Sequence, residues 1–196
     1  MEQAYRKDLG HLTWDEIFAR QSLRAGLVED WIEALHLQSG ACVLDVGAGP
    51  GYVSLALADR VGPDGLVYAM DRSADALAYL ARLQSARGVA QISRIVADAT
   101  TLDIEGRRPD SALITMVLHH ADDPKGILSN VARLLPSGAR AVVGEFHPEG
   151  PCEHGPPQAE RIAPEQIQAW CEAAGFAVLA YRRQAQEYFF TSLQRR

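Results

Sequence analysis

The sequence predicts an α/β fold, a mostly parallel sheet with helices on both faces, and three observations carry that prediction. From Ala41 onward, short apolar segments alternate with helix-length amphipathic ones, the pattern of βα units rather than of a sandwich or a bundle. The series opens on a strand–turn–helix punctuated by Gly47, Gly49 and Gly51. The last two β-rich segments are only three residues apart, which permits a hairpin but not a parallel crossover, so the chain should end antiparallel.

Each element follows from local signals. Thr13 and Glu16 have the spacing of a capping box, after which Trp14, Ile17 and Phe18 share one helical face. Residues 22–36 read as a second amphipathic helix with Leu27, Val28, Trp31, Ile32 and Leu35 inward, closed by Gly40. Residues 41–46 are a buried strand, and Tyr52–Val61 a helix stopped by Gly62 and Pro63. A second strand covers 65–71. Ser73 caps a helix over 74–86 that turns Leu77, Leu80 and Leu83 to the core and ends before Gly88. Residues 91–98 and 110–118 form the third and fourth strands. Asp122 or Asp123 caps a helix starting at Pro124, with Ile127, Leu128, Val131 and Leu135 inward, and 139–146 is the fifth strand. Residues 147–163 hold four prolines and two glycines, too many for regular structure, and loops of this length within a domain are usually functional. A helix over 164–174 ends at Gly175, and 176–182 and 186–193 are the closing hairpin.

Composition narrows the function. A chain of 196 residues, 47% hydrophobic and 22% charged, fits one domain with a sizeable core. We expect a helical cap over 1–40, a ligand-binding core over 41–146, a substrate-side loop over 147–163, and a terminal helix and hairpin over 164–196. The net charge of −6 offers no broad basic surface for a phosphate backbone, so no nucleic-acid partner is expected. No apolar run approaches the roughly 20 residues that span a bilayer, and the N-terminal stretch lacks the apolar core of a secretory signal. The three cysteines, Cys42, Cys152 and Cys171, are far apart and odd in number, as expected of a cytoplasmic protein without disulfides.

The glycines alone say only that a backbone turns sharply or that a ligand lies against it. Their neighbours say more. The dinucleotide fingerprint G-x-G-x-x-G wants a third glycine where this chain has Tyr52. Asp45, two residues ahead of Gly47, would be unwelcome beside a pyrophosphate. It suits a ligand carrying an ammonium and a sulfonium, and S-adenosylmethionine (SAM) carries both and no phosphate. Asp71, at the end of the second strand, can accept hydrogen bonds from ribose hydroxyls, and Asp98, one strand further out, can meet an adenine amino group. All three carboxylates fall at the edge where open α/β sheets bind ligands.

The segments VLDVGAGPGYVSLALA, VYAMDRS, IVADATTL, DSALITMVLHHADDP and LLPSGARAVVGEF, together with WCEAAGFAV, resemble in order and spacing the motifs of class I SAM-dependent methyltransferases. The likeness is nearest to the small-molecule branch, similar to quinone-biosynthesis C-methyltransferases and arsenite methyltransferase-like proteins. It implies a Rossmann-like, seven-stranded sheet with an antiparallel C-terminal hairpin. It also implies that the loop of Gly47, Gly49 and Gly51 holds the methionine part of SAM, that Asp71 holds ribose and Asp98 adenine, and that Met116 and Val117 line the cofactor. Asp45, Tyr52, Arg72 and Ala99 complete the expected cofactor set. One departure, Pro136-Ser137-Gly138 where the family has Pro-Gly-Gly, still makes a turn.

Methyl transfer needs alignment and sometimes a base. His119, with His120 beside it, follows the fourth strand, and Glu145 and His147 close the fifth; His119, Glu145 and His147 are the candidate catalytic residues. Tyr5, His11, Trp14 and Phe18 are candidates for the pocket lining, and Arg20 and Arg24 for receiving an anionic substrate. His147, Cys152 and His154 lie close together but match no standard zinc spacing, so no metal is expected. The reading is thus a SAM-dependent methyltransferase of a small molecule, monomeric or homodimeric. A non-catalytic SAM-binding protein and a nucleotide-dependent oxidoreductase are the alternatives.

Overall fold

Burial on two sides decides the middle of the molecule. The computed structural model describes residues 12–151 and 155–196. Strands β1 (Cys42–Val46) and β4 (Ser111–Thr115) are buried at every residue, as runs sandwiched between two helical layers must be. They are joined by β2 (Leu66–Asp71), β3 (Ile92–Val96), β5 (Arg140–Phe146), β6 (Phe176–Gln184) and β7 (Tyr188–Arg195). The seven-stranded sheet has the order β3-β2-β1-β4-β5-β7-β6. Its first five members are parallel, and β7 runs antiparallel to both β5 and β6. The predicted fold class is therefore the observed one.

Helices α2 (Ala25–Leu35), α3 (Tyr52–Val61) and α4 (Ala74–Arg87) cover one face, while α5 (Pro124–Leu134) and α6 (Pro164–Ala173) cover the other. The caps read from the sequence are made. Glu16 N donates to Thr13 Oγ1 and Thr13 N to Glu16 Oε2, starting α1 (Trp14–Ser22). Ser73 and Asp123 accept from Ala76 N and Gly126 N. Cys42 and Cys171 are buried thiols, and burial pushes them up to about 11 and about 12, so neither is a nucleophile at neutral pH. Among the described residues no helix is long and apolar enough to cross a membrane.

The strands of the closing hairpin each end two residues later than the sequence reading has them, at Gln184 and Arg195, because β6 pairs with β7 over their whole length. Three other boundaries also differ. The third strand stops at Val96 rather than 98; it is the sheet edge and mostly exposed, with too little burial to extend its pairing. The fourth stops at Thr115 rather than 118. Met116 there takes a left-handed backbone (φ 57°), and Leu118–His120 form one 3-10 turn. The second helix begins at Ala25 rather than 22, because Leu23 closes α1.

α2 is fastened across the sheet rather than merely laid on it. Trp31 is 1% exposed, and its indole Nε1 donates 2.8 Å to Gln184 Oε1. Gln184 Nε2 in turn donates 2.7 Å to Asp30 Oδ2. The ring lies so close to Gly144 that a Cβ there would meet it at 3.1 Å. Trp31→Ala should lower the unfolding free energy by about 3–5 kcal/mol in urea titrations, and Trp31→Phe by clearly less, because most of the volume stays while the bond to Gln184 is lost.

Candidate active site

The turn from β1 into α3 has room for backbone and little else. Gly47, Gly49 and Gly51 all have positive φ (73°, 54° and 93°), a region that costs other residues strain. A Cβ on Gly47 would collide with Val117, and one on Gly51 with Leu80. The amides of Gly47 and Ala48 both donate to Met70 O, at 2.8 and 2.9 Å. Asp71 braces the turn from β2: its Oδ2 accepts from Gly49 N and its Oδ1 from Ser73 N, both at 2.8 Å. Each oxygen keeps a further lone pair for a ligand hydroxyl. From above, Gln21 of α1 accepts from Tyr52 N (3.3 Å), and Phe18 meets the Tyr52 ring edge-on.

Beside this turn lies an open cleft. Gln21, Arg24 and Trp31 line it from the cap helices, Asp45, Gly47 and Ala48 from β1 and its turn, and Thr115 and Met116 from the end of β4. Asp45 is 1% exposed. Burial pushes its carboxyl up to about 7, against a 2.5 Å hydrogen bond from Ser54 Oγ and with added repulsion from Asp71. A carboxyl held in that state gains from a cation placed against it and, once ionised, repels a phosphate.

Next to the cleft the fold pairs two of the predicted catalytic residues. His119 Nδ1 lies 2.7 Å from Glu145 Oε2, with both side chains buried. Glu145 Oε1 also accepts from the amides of Leu118 (2.8 Å) and His119 (3.3 Å). Burial works to raise the Glu145 carboxyl, but His119 and the amides of His119 and Phe146 outweigh it and hold it below its ordinary value. An ionised Glu145 makes Nδ1 the donor, which leaves Nε2 as the basic atom. His147 is also buried, but its Nδ1 accepts from Glu149 N at 3.1 Å, so it caps its own turn. Burial, with the nearby Arg183 charge, lowers its pKa and keeps it neutral.

The remaining predicted residues spread outward from the cleft. Asp98 is exposed two residues beyond β3, where Thr100 N and Oγ1 donate to it and hold its pKa down. Arg72 is exposed, and Ala99 is fixed through its carbonyl by buried Asn130. Met116 lines the cleft, and Val117 packs behind Gly47. Of the two arginines, Arg20 is exposed and Arg24 faces the cleft. Trp14 and Phe18 are half-buried, Phe18 against Tyr52 and Tyr79. Tyr5, His11, Cys152 and His154 lie outside the described residues, among which no three-residue His/Cys/Asp/Glu group could hold a metal. Gln21 and Thr115 were not singled out from the sequence. A polar residue on an otherwise ordinary cap helix, or at a strand end, gives no local signal. The helical periodicity marks Trp31 as core, and it is both core and cleft wall.

Residues 37–191 match a family described as a methyltransferase domain. The chain is 33% identical over 112 residues to a 2-phytyl-1,4-naphtoquinone methyltransferase of Nostoc punctiforme, covering 56% of this chain and 48% of that one. It is 30% identical over 114 residues to a demethylmenaquinone methyltransferase of Geobacillus kaustophilus, covering 58% and 49%. The chain thus spans about half the length of these curated relatives. A SAM-dependent methyltransferase from Aquifex aeolicus superposes with a TM-score of 0.78 at 22% identity, over 85% of this chain and 88% of that one, a likeness of fold.

Asp45 has a consequence for stability. Its carboxyl is raised from 3.8 to about 7 on folding, so the contribution of Asp45 to ligand-free stability is fullest below 3.8 and declines as pH rises towards about 7. Asp45→Asn removes that decline. Denaturant titrations across this range should show the variant gaining on the natural protein as pH rises; a pH-independent difference would contradict the assignment.

Proposed function

The chain belongs to the methyltransferase domain family, and on that premise we propose that it moves the methyl group of SAM to a small-molecule acceptor by in-line displacement. The observation that carries the reading is Asp45: a buried carboxyl lining the cleft at the root of a turn built from left-handed glycines. SAM brings an ammonium, a carbon activated by a sulfonium, and no phosphate. Asp45 and the Gly47–Gly51 turn would hold its amino-acid end. Asp71 would hold the ribose, Asp98 and Ala99 the adenine, and Met116 and Val117 would close the cofactor side, with Tyr52 and Arg72 flanking. A pyrophosphate at this turn would face the carboxyl of Asp45, which argues against a dinucleotide oxidoreductase.

The chain's own contribution is placement plus one base. Glu145 fixes the His119 tautomer so that Nε2 takes the acceptor's proton as the new bond forms. Arg161 secures the loop after β5. Its guanidinium is fully buried, pairs with Glu187 at 2.5 Å, and donates to the carbonyls of His147 and Pro156. His147, by capping that loop, positions it and does not exchange the proton. The relatives named for naphthoquinone and menaquinone substrates make a reduced naphthoquinone the first acceptor to try. The protein would act in the cytoplasm as a monomer or homodimer, without nucleic acid or membrane; the acidic balance supports the lack of a nucleic-acid partner.

Calorimetry should show binding of SAM and S-adenosylhomocysteine and none of NAD; NAD binding without either would sink the proposal. Because the ligand ammonium wants Asp45 ionised, affinity should rise about tenfold per pH unit until pH reaches about 7 and then level off. With a reduced naphthoquinone as acceptor, His119→Gln should lower kcat about 10²-fold or more while leaving S-adenosylhomocysteine affinity intact. An unchanged kcat would leave catalysis to placement alone.

A further inference from the structure

Arg24 is a charge in the cleft that the cofactor residues do not use. It is half-buried at the start of α2, beside Gln21 and Trp31. Its guanidinium carbon lies 5.3 Å from the centre of the Phe146 ring and 5.6 Å from that of Tyr188. Among the described residues no carboxylate stands within ion-pair distance of it. Arg161 makes the contrast plain: it too lies over Phe146, at 5.2 Å, but its charge is taken by Glu187.

The position says what Arg24 faces. Phe146 closes β5 and Tyr188 opens β7, and the two are register partners at the same sheet edge as the glycine turn. In the order β2-β1-β4-β5-β7, that seam lies two to three strands from β1, roughly 10–14 Å at ordinary strand spacing. Asp71 on β2 and Asp45 on β1 mark the run of the cofactor, so the β5–β7 seam lies beyond it, on the acceptor side.

We infer that Arg24 is the residue that selects the acceptor, and that the acceptor is a ring-bearing small molecule with an anionic oxygen, a carboxylate or an ionised phenol. This rests on the methyltransferase reading. A guanidinium held over aromatic rings by cation–π attraction still has N–H groups to offer a carboxylate or phenolate. Partial burial, with no counter-charge among the described residues, makes an incoming anion worth more than it would be at an open surface. Trp31, Phe146 and Tyr188 supply apolar walls around that charge.

Benzoate, 4-nitrophenolate and neutral benzamide titrated into the full chain, with and without saturating S-adenosylhomocysteine, test this. In the natural protein at least one of the two anions should bind more tightly than benzamide, and which one does identifies the acceptor group. Arg24→Gln should weaken that anion about tenfold or more, Arg24→Lys by less, with benzamide and S-adenosylhomocysteine little changed. The inference is overturned if neither anion binds more tightly than benzamide. It is equally overturned if Arg24→Gln leaves the anions unaffected, or if the loss falls on S-adenosylhomocysteine, which would assign Arg24 to the cofactor's own carboxylate. Failure of S-adenosylhomocysteine to bind the natural protein would instead count against the methyltransferase reading, and the titrations without it still judge Arg24.

Discussion

The absence of side-chain room at the β1–α3 turn is the constraint on which the rest of the site depends. Gly47 is closed in by Val117 and Gly51 by Leu80, so the turn can be made only of backbone. Its amides are held by Met70 O and by the Asp71 carboxylate, which ties the turn to the end of the neighbouring strand. β1 is also where the sheet changes direction: β2 and β3 lie on one side of it, β4 and β5 on the other. That crevice is where open α/β sheets take ligands. Packing, topology and the cleft therefore converge on one short segment.

Two buried carboxyls near that segment behave oppositely, and the difference separates their roles. Asp45 has a single hydroxyl donor, so burial prevails and its pKa rises to about 7. Glu145 has a histidine and several amide donors, which prevail over the same burial. Asp45 is left wanting a cation, whereas Glu145 is already committed to orienting His119. Cap helices complete the arrangement: Gln21 reaches Tyr52 at the head of α3, and Trp31 is tied to Gln184 on β6. The roof of the cleft is thus fixed to both halves of the sheet.

Much of this was legible in the sequence where the cause is local. α3 begins and ends where its flanking glycines place it, at Tyr52 and Val61. The capping box at Thr13 and the helix start at Pro124 are likewise properties of neighbouring residues. What escaped had tertiary causes. The fourth strand stops early because Met116 turns left-handed where its amide meets Gly144 O. Asp98 looks like a strand end but stands in a turn beyond an exposed edge strand. His119 and Glu145 were both named, but their contact across 26 residues depends on the pairing of β4 with β5. Arg20 and Arg24 are equivalent as letters; only the packing of the cap helices turns one to solvent and the other into the cleft.

The central claim, that a buried Asp45 and a glycine turn receive the charged end of SAM, is tested most directly by a crystal structure of the full chain with S-adenosylhomocysteine. The account predicts the ligand amino group against the turn, within about 3 Å of the Asp45 carboxyl or a carbonyl of the turn, and the ribose hydroxyls on Asp71. A ligand whose amino group points away, with Asp45 still bonded to Ser54 alone and Asp71 unvisited, would contradict it.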